Sequence, residues 1–317
     1  METSVLQPFT SKKYFKYILV SGLACLSAIT VYGCTASETE SQEKQKIIAT
    51  FLPVYLFTKA VAGSEAQVDI LISPGTEVHD YQATPEDAKT LAEADVLVEN
   101  GLGIEEFLKD LVANAGNSEL KQIDASEGIE VIEEDAGHDH GEEHGHHHEG
   151  GNPHVWLDPV LAQQQVANIR DGLIEADPTN AEIYRTNADT YIQQLQQLDN
   201  EFSQRLAVLK GCKFITFHDA FPYLAQRYGL EQMAVVEIPE DNITPSDIQR
   251  VKNAAEEFQV KALLSEPGIE DKRVQQISND LNLPLEAINP LESGETDPQY
   301  YFEVMRNNLA SLEKACK

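Results

Sequence analysis

The chain has 317 residues, which is enough for two domains or for one large α/β unit with a sizeable core. It carries 53 acidic and 23 basic side chains, giving a formal net charge of -30. Such a surface repels phosphate backbones and anionic membranes and attracts divalent cations, so the composition argues against a nucleic-acid-binding protein.

The N-terminus has the pattern of a bacterial-type export signal. A lysine-containing stretch precedes an apolar run that is too short for a comfortable transmembrane helix and that ends in VYGC at Cys34. We therefore interpret 1–33 as a signal peptide and 34–45 as a flexible polar tether. The VYGC sequence resembles a lipobox, which makes Cys34 a lipidation candidate. Ordinary cleavage nearby is the alternative, because Tyr32 is bulky for its position.

Strand and helix patterns alternate after the tether. Strand patterns cover 46–51, 67–73 and 95–100. The helix that follows the second strand should begin at Thr84, since a capping hydroxyl there precedes a proline and two carboxylates. This β-α-β order predicts a parallel sheet covered by helices.

A long helical region separates this part from a second α/β region. It runs from Pro159 with a break near Asp177, and its second segment is much longer than an average globular helix. Further strand patterns, with helices between them, cover 213–217, 233–238, 260–265 and 285–288. We predict an α/β fold of two lobes with parallel-rich sheets, over 46–179 and 210–317, joined by a rigid helix over 180–209.

A loop over 136–151 interrupts the first lobe. It holds six of the nine histidines of the chain, namely His138, His140, His144, His146, His147 and His148. Between the first and last of these there is no apolar side chain to bury, so an ordered structure would cost backbone entropy without a hydrophobic return. We interpret the run as an accessory segment that binds several metal ions weakly and either collects zinc or senses its excess. A solvated insertion with incidental affinity is the alternative.

The other three histidines are His79, His154 and His218. His79 and His218 follow predicted strands, and ligand sites of open α/β sheets lie beyond the carboxyl ends of strands. Three imidazoles suit Zn²⁺, although each histidine taken alone could be an ordinary hydrogen-bonded residue. Intervals of 75 and 64 residues separate the three, so spacing supports a candidate metal site and goes no further.

The sequences around these histidines resemble the motifs of a known family. HDYQATPED, NPHVWLDP, ITFHDAFPYLAQRYG and YYFEVMRNNL are similar, in this order, to motifs of the metal-specific solute-binding proteins of ABC importers, especially the zinc-uptake type called ZnuA. The resemblance covers essentially the whole mature chain. It implies two α/β lobes joined by a rigid helix, with one metal ion in the cleft between them. His79 and His154 would bind the ion from the first lobe, and His218 from the second.

The resemblance also bears on the metal and on its fourth ligand. Manganese-type relatives have a glutamate at the place of His218, and nitrogen ligands favour zinc over manganese. Many relatives place an aspartate just before the final helix, but Gln299 occupies that position here. We therefore rank Asp297 first as the fourth ligand, with water or Glu77 as alternatives.

Two cysteines, Cys212 and Cys316, remain in the mature domain after export. In an oxidising compartment they are expected to form a disulfide, which would close a loop of about a hundred residues and contribute ~4 kcal/mol. Two unpaired cysteines are the alternative.

No catalytic motif accompanies the histidines, since the sequence has no HExxH, nucleophile elbow or phosphate-binding glycine loop. Four nearby carboxylates are interpreted as helix caps or imidazole partners, and not as a catalytic base: Glu77, Asp80, Asp158 and Asp219. We therefore predict a monomeric, non-enzymatic, periplasmic receptor that delivers Zn²⁺ to an ABC importer permease and contacts the membrane only through a lipid anchor. The alternatives are a manganese receptor of the same fold, a zinc-dependent hydrolase and a surface adhesin.

Overall fold

The computed structural model describes residues 44–132, 151–236, 243–267 and 272–317. The predicted signal peptide, the lipidation candidate Cys34, almost all of the tether and the six-histidine run lie outside these residues. Within the described part, no helix combines the length and the apolar character needed to cross a membrane.

The first lobe is built on a sheet of four parallel strands in the order β2-β1-β3-β4. The strands are β1 (Lys46–Ala49), β2 (Gln67–Ile70), β3 (Val96–Glu99) and β4 (Lys121–Asp124). The helices of this lobe are α1 (Leu52–Ala62), α2 (Pro85–Ala92) and α3 (Leu108–Ala115). The predicted start of α2 is confirmed: Thr84 accepts a hydrogen bond from the amide of Asp87, whose carboxylate accepts one from the amide of Thr84.

The second lobe repeats this arrangement with a parallel sheet in the order β6-β5-β7-β8. Its strands are β5 (Lys213–Thr216), β6 (Glu231–Ala234), β7 (Leu263–Ser265) and β8 (Leu285–Ala287). Strand β6 begins two residues before the predicted 233–238, because Gly229 ends the preceding helix in a left-handed conformation and the chain turns directly into the sheet.

One long helix packs against both lobes. In chain order, the remaining helices are α4 (Pro159–Ala176), α5 (Ala181–Leu206), α6 (Pro222–Tyr228), α7 (Pro245–Phe258), α8 (Lys272–Leu281) and α9 (Tyr300–Cys316). One stripe of α5 is buried at helical spacing, from Tyr184 through Leu195 to Leu206. This stripe belongs to a single apolar core that includes residues of both sheets, so α5 is an integral part of both lobes. The predicted α/β fold with a long joining helix is confirmed.

A disulfide closes the second lobe. Cys212 precedes β5 and Cys316 ends α9, and their Sγ atoms are 2.05 Å apart with the Cα atoms 5.8 Å apart. The predicted bridge is confirmed. It ties the first strand of the lobe to its last helix.

Candidate metal centre

Three histidines and one glutamate converge between the two lobes: His79, His154, His218 and Glu292. One potential ligand atom from each lies within 4.8 Å of all the others. The Nε2 atoms of His154 and His218 are 3.3 Å apart, and Oε1 of Glu292 lies 3.8 to 3.9 Å from Nε2 of each histidine. Two ligands on a tetrahedral zinc ion are ~3.3 Å apart, so the group has nearly the dimensions of a four-coordinate site.

His79 lies in the loop between β2 and α2. Its side chain is almost fully buried, and its ring centroid is 5.3 Å from that of His154 and 5.9 Å from that of His218. The same loop contacts the second lobe directly, because the amide of Gly75 donates a 2.9 Å hydrogen bond to the carbonyl of Glu292. The loop therefore brings His79 and Glu292 together from opposite sides of the cleft.

His154 lies in the buried segment that leads into α4. Its main-chain amide donates to Oδ1 of Asn152 at 3.1 Å, and its Nδ1 lies 3.0 Å from the same oxygen. Trp156 fixes this segment against the second lobe: its indole NH donates to the carbonyl of Pro290, and its own carbonyl accepts from the hydroxyl of Tyr301. The backbone around His154 is therefore held on both sides of the cleft.

His218 lies two residues beyond β5 and is completely buried. Its Nδ1 is 2.5 Å from Oε2 of Glu266, and its main-chain amide donates to Oε1 of the same carboxylate. Burial alone would lower the pKa of His218, but Glu266, with smaller contributions from Glu292 and Asp219, outweighs burial and raises the pKa to about 9. This contact directs Nε2 toward the other ligand atoms.

Glu292 lies in the loop between β8 and α9. The preceding Leu291 is fully buried and adopts φ 69°, a left-handed conformation that is strained for leucine. Burial would raise the pKa of Glu292, but His79 and His218 outweigh it and lower the pKa. Its Oε1 is buried and makes no hydrogen bond with any described residue. A buried carboxylate oxygen that faces three imidazoles in this way suits a metal ion.

Comparison with known proteins places this chain in a family. A family model described as zinc-uptake complex component A, periplasmic, matches residues 47–315. The chain belongs to this ZnuA family. The zinc-binding lipoprotein AdcA of Streptococcus pneumoniae (strain R6) is 34% identical over 301 residues, which cover 92% of this chain and 60% of that protein. The high-affinity zinc uptake system protein ZnuA of Bacillus subtilis is 33% identical over 314 residues, which cover 92% of this chain and 96% of that protein.

A solved structure of this family shows the same fold. The Zn(II)-bound ZnuA-like domain of Streptococcus pneumoniae AdcA superposes with a TM-score of 0.73 at 30% identity, over 86% of this chain and 99% of that domain. The chain thus spans 60% of full-length AdcA but nearly all of its ZnuA-like domain. The family predicted from the histidine motifs is confirmed.

Within this ZnuA-family chain, the carboxylate beside the three histidines is not the one expected from the sequence. Asp297 is exposed, and its Oδ1 accepts a hydrogen bond from the amide of Gln299 at the start of α9. Glu77 is also exposed and lies outside the group. Glu292 occupies the place instead, in the loop that follows β8. The rule that singled out His79 and His218, that ligands lie beyond the carboxyl ends of strands, applies equally to Glu292 and could have found it.

Proposed function

We propose that this protein is an exported receptor that binds Zn²⁺ and delivers it to the membrane permease of an ABC importer. The observation that carries the proposal is the buried group of three imidazole nitrogens and one carboxylate oxygen, contributed by both lobes: His79, His154, His218 and Glu292. The descriptions of AdcA as a zinc-binding lipoprotein and of the Bacillus protein as a zinc uptake protein support it.

The donor atoms favour zinc over manganese. Zinc in proteins takes four nitrogen, sulfur or oxygen ligands, whereas manganese prefers carboxylate, carbonyl and water oxygens in an octahedral arrangement. Three of the four donors here are imidazole nitrogens, and the group is compact. Zinc is therefore expected to bind much more tightly than Mn²⁺.

The division of ligands between the lobes supports a mechanism of release. His79 and His154 belong to the first lobe, while His218 and Glu292 belong to the second. A permease that separates or twists the lobes would withdraw two ligands at once, so the ion would lose half of its coordination in one movement. Closing the lobes around zinc is the reverse of this step.

The same ligand set argues against the hydrolase alternative. Catalytic zinc sites keep one coordination position open for water or substrate, whereas sites with four protein ligands are closed. The four side chains of this group would fill a tetrahedral shell. We therefore propose that the site binds zinc without catalysing a reaction on it.

The proposed receptor also includes segments that lie outside the described part of the chain, and a monomeric state. Segment 1–33 would direct export to the periplasm, Cys34 would carry a lipid anchor, and loop 136–151 would collect zinc near the cleft. The mature chain would act as a monomer, with lobes over 46–179 and 210–317.

Two single substitutions, at carboxylates that lie close together in sequence, test the function. Glu292→Gln should weaken zinc binding at least about a hundredfold, because it removes a charged ligand. Asp297→Asn is the matched control and should leave affinity within about twofold of wild type. Competition against a chromophoric chelator measures both. A larger loss in the control would refute Glu292 as the fourth ligand, and a wild type without tight zinc binding would refute the function.

Deleting 136–150 separates the accessory segment from the cleft site. Calorimetric titration of the deletion variant should retain one tight zinc site and lose weaker ones. Loss of the tight site in a correctly folded variant would contradict the assignment of the cleft residues.

A further inference from the structure

Asn152 occupies a buried position where the loop before His154 meets the second lobe. Its Oδ1 accepts a hydrogen bond from the main-chain amide of His154 at 3.1 Å and lies 3.0 Å from Nδ1 of the same residue. On the other side, its Nδ2 donates to the main-chain carbonyl of Asp219 at 2.7 Å and lies 3.3 Å from its carboxylate. One carboxamide therefore connects a proposed zinc ligand in the first lobe with the residue that follows a proposed ligand in the second.

The partners of this carboxamide allow only one orientation. The main-chain amide of His154 can only donate, so the atom that faces it must be the oxygen. The main-chain carbonyl of Asp219 can only accept, so the atom that faces it must be the nitrogen. Exchanging the two atoms would place donor against donor and acceptor against acceptor. The orientation of Asn152 is thus fixed by groups whose hydrogen-bonding roles cannot change.

This orientation decides which nitrogen of His154 carries the proton. Because Oδ1 of Asn152 can only accept, Nδ1 of His154 must be the donor in their 3.0 Å contact. The neutral imidazole then presents the lone pair of Nε2, which lies 3.3 Å from Nε2 of His218 in the metal-binding group. Without an acceptor at Nδ1, the ring could carry its proton on Nε2 and would be unable to bind zinc through that atom.

The orientation also depends on contact between the lobes. Asp219 belongs to the second lobe, as does Tyr223, whose hydroxyl donates to the carbonyl of Asn152 at 2.7 Å. When the lobes separate, Nδ2 of Asn152 loses the acceptors that fix the carboxamide. The set of hydrogen bonds that fixes the carboxamide, and with it the zinc-binding form of His154, is therefore complete only when the lobes meet.

We infer that Asn152 is a positioning residue that makes the zinc-binding form of His154 depend on lobe contact. The inference rests on the proposed zinc function. Because coupling between two equilibria is reciprocal, zinc at His154 favours lobe contact to the same extent that lobe contact favours zinc. Separation by a permease would then weaken His154 as a ligand in addition to removing the ligands of the second lobe.

A double-mutant cycle tests whether Asn152 acts through His154. Asn152→Ala should raise the zinc dissociation constant by roughly 10- to 100-fold in the wild-type background, the usual cost of losing a partner of a metal ligand. In the His154→Ala background the same change should have an effect of at most about twofold, because the ring on which it acts is absent. An equal factor in both backgrounds, or none in the wild type, would overturn the inference.

Asn117→Ala is the matched control for the loss of a hydrogen-bonded asparagine. Its Nδ2 donates to the carbonyls of Leu91 and Ala94, within the first lobe and away from the site, so zinc affinity should not change. If the wild type itself binds no zinc, the proposed function fails. If it binds zinc and Asn152→Ala binds equally well, only the role of Asn152 fails.

Asn152→Asp separates the two contacts and also serves if the alanine variant does not fold. Aspartate at position 152 keeps an oxygen that accepts from His154, but it has no donor for the carbonyl of Asp219. It also places its own carboxylate next to the carboxylate of Asp219. Zinc should therefore dissociate at least about tenfold faster than from the wild type in stopped-flow chelator competition. An unchanged dissociation rate would overturn the dependence on lobe contact.

Discussion

A buried glutamate lies beyond the third strand of each sheet, and the two lobes use it differently. In the first lobe, Glu105 follows β3 and accepts hydrogen bonds from the hydroxyl of Thr50 and from the amides of Asn100 and Gly101. In the second lobe, Glu266 follows β7 and accepts from the amide and Nδ1 of His218. The strand order is the same in both sheets. The difference lies in the side chain that faces the glutamate, which is Thr50 after β1 in the first lobe and His218 after β5 in the second.

This difference changes the chemistry of the carboxyl group. Burial, with a smaller contribution from the nearby Glu99, raises the pKa of Glu105 to about 8 despite its three hydrogen bonds. Glu266 instead faces the imidazole of His218, and this contact raises the pKa of His218 to about 9. The first glutamate stabilises a loop backbone, whereas the second orients a proposed ligand. Buried glutamates that follow corresponding strands thus hold a loop backbone in one lobe and a proposed zinc ligand in the other.

The largest expected effect that tests this comparison is the pH dependence of zinc affinity. With a pKa of about 9, His218 must lose one proton from Nε2 before it binds zinc. Affinity should therefore rise by about tenfold per pH unit and level off above pH 9, or roughly a thousandfold between pH 6 and pH 9. Chelator competition across this range measures it. An affinity that does not vary with pH would contradict the pairing of His218 with Glu266.

A smaller effect is expected from removing each carboxylate at a pH above 9. Glu266→Gln leaves one acceptor oxygen for the two N–H groups of His218, so zinc binding should weaken roughly 10- to 100-fold. Glu105→Gln is the matched control and should change affinity by at most about threefold, since Glu105 reaches the His154 loop indirectly: it accepts from the amide of Asn100, whose side-chain Nδ2 donates to the carbonyl of Pro153. Comparable losses in the two variants would show that the lobes do not differ in this respect.

The last effect does not involve zinc and concerns the stability of the metal-free protein. The pKa of Glu105 is about 8 in the folded protein, above its ordinary value of 4.5. Its contribution to the stability of the folded protein is therefore fully present below pH 4.5 and is lost as the pH rises through 8. The free energy of unfolding should fall by at most about 1.4 kcal/mol per pH unit in this window. Urea unfolding of the wild type and of Glu105→Gln, compared across this pH range, isolates the contribution of Glu105 to the free energy of unfolding. Identical pH profiles would contradict a neutral Glu105.

Local chemistry predicted much of the fold. The hydroxyl of Thr84 and the carboxylate of Asp87 form their capping box within four residues, so the sequence contains the whole interaction. Strand β4 was not predicted, because only Ile123 of its four residues is buried and no apolar alternation marks it. Pairing with β3 makes it a strand, and that pairing depends on contacts distant in sequence.

The sequence predicted the histidines of the candidate site but not its glutamates. His79, His154 and His218 could be identified because histidine is rare outside the six-histidine run and because each lies in a loop or beyond a strand. Glu292 was missed because family resemblance directed attention to the residues just before α9, where Asp297 accepts a hydrogen bond from the amide of Gln299. The role of Glu266 was also inaccessible, since it results from the pairing of β5 with β7.

X-ray absorption at the zinc edge tests the central claim most directly. The sample is the variant lacking 136–150, loaded with one equivalent of zinc, so that the six-histidine run cannot contribute ligands. We predict four nitrogen and oxygen ligands at about 2.0 Å, with the multiple-scattering signature of three imidazoles and one carboxylate. A shell of six oxygens, or one with fewer than three imidazoles, would contradict the cleft site proposed for this protein.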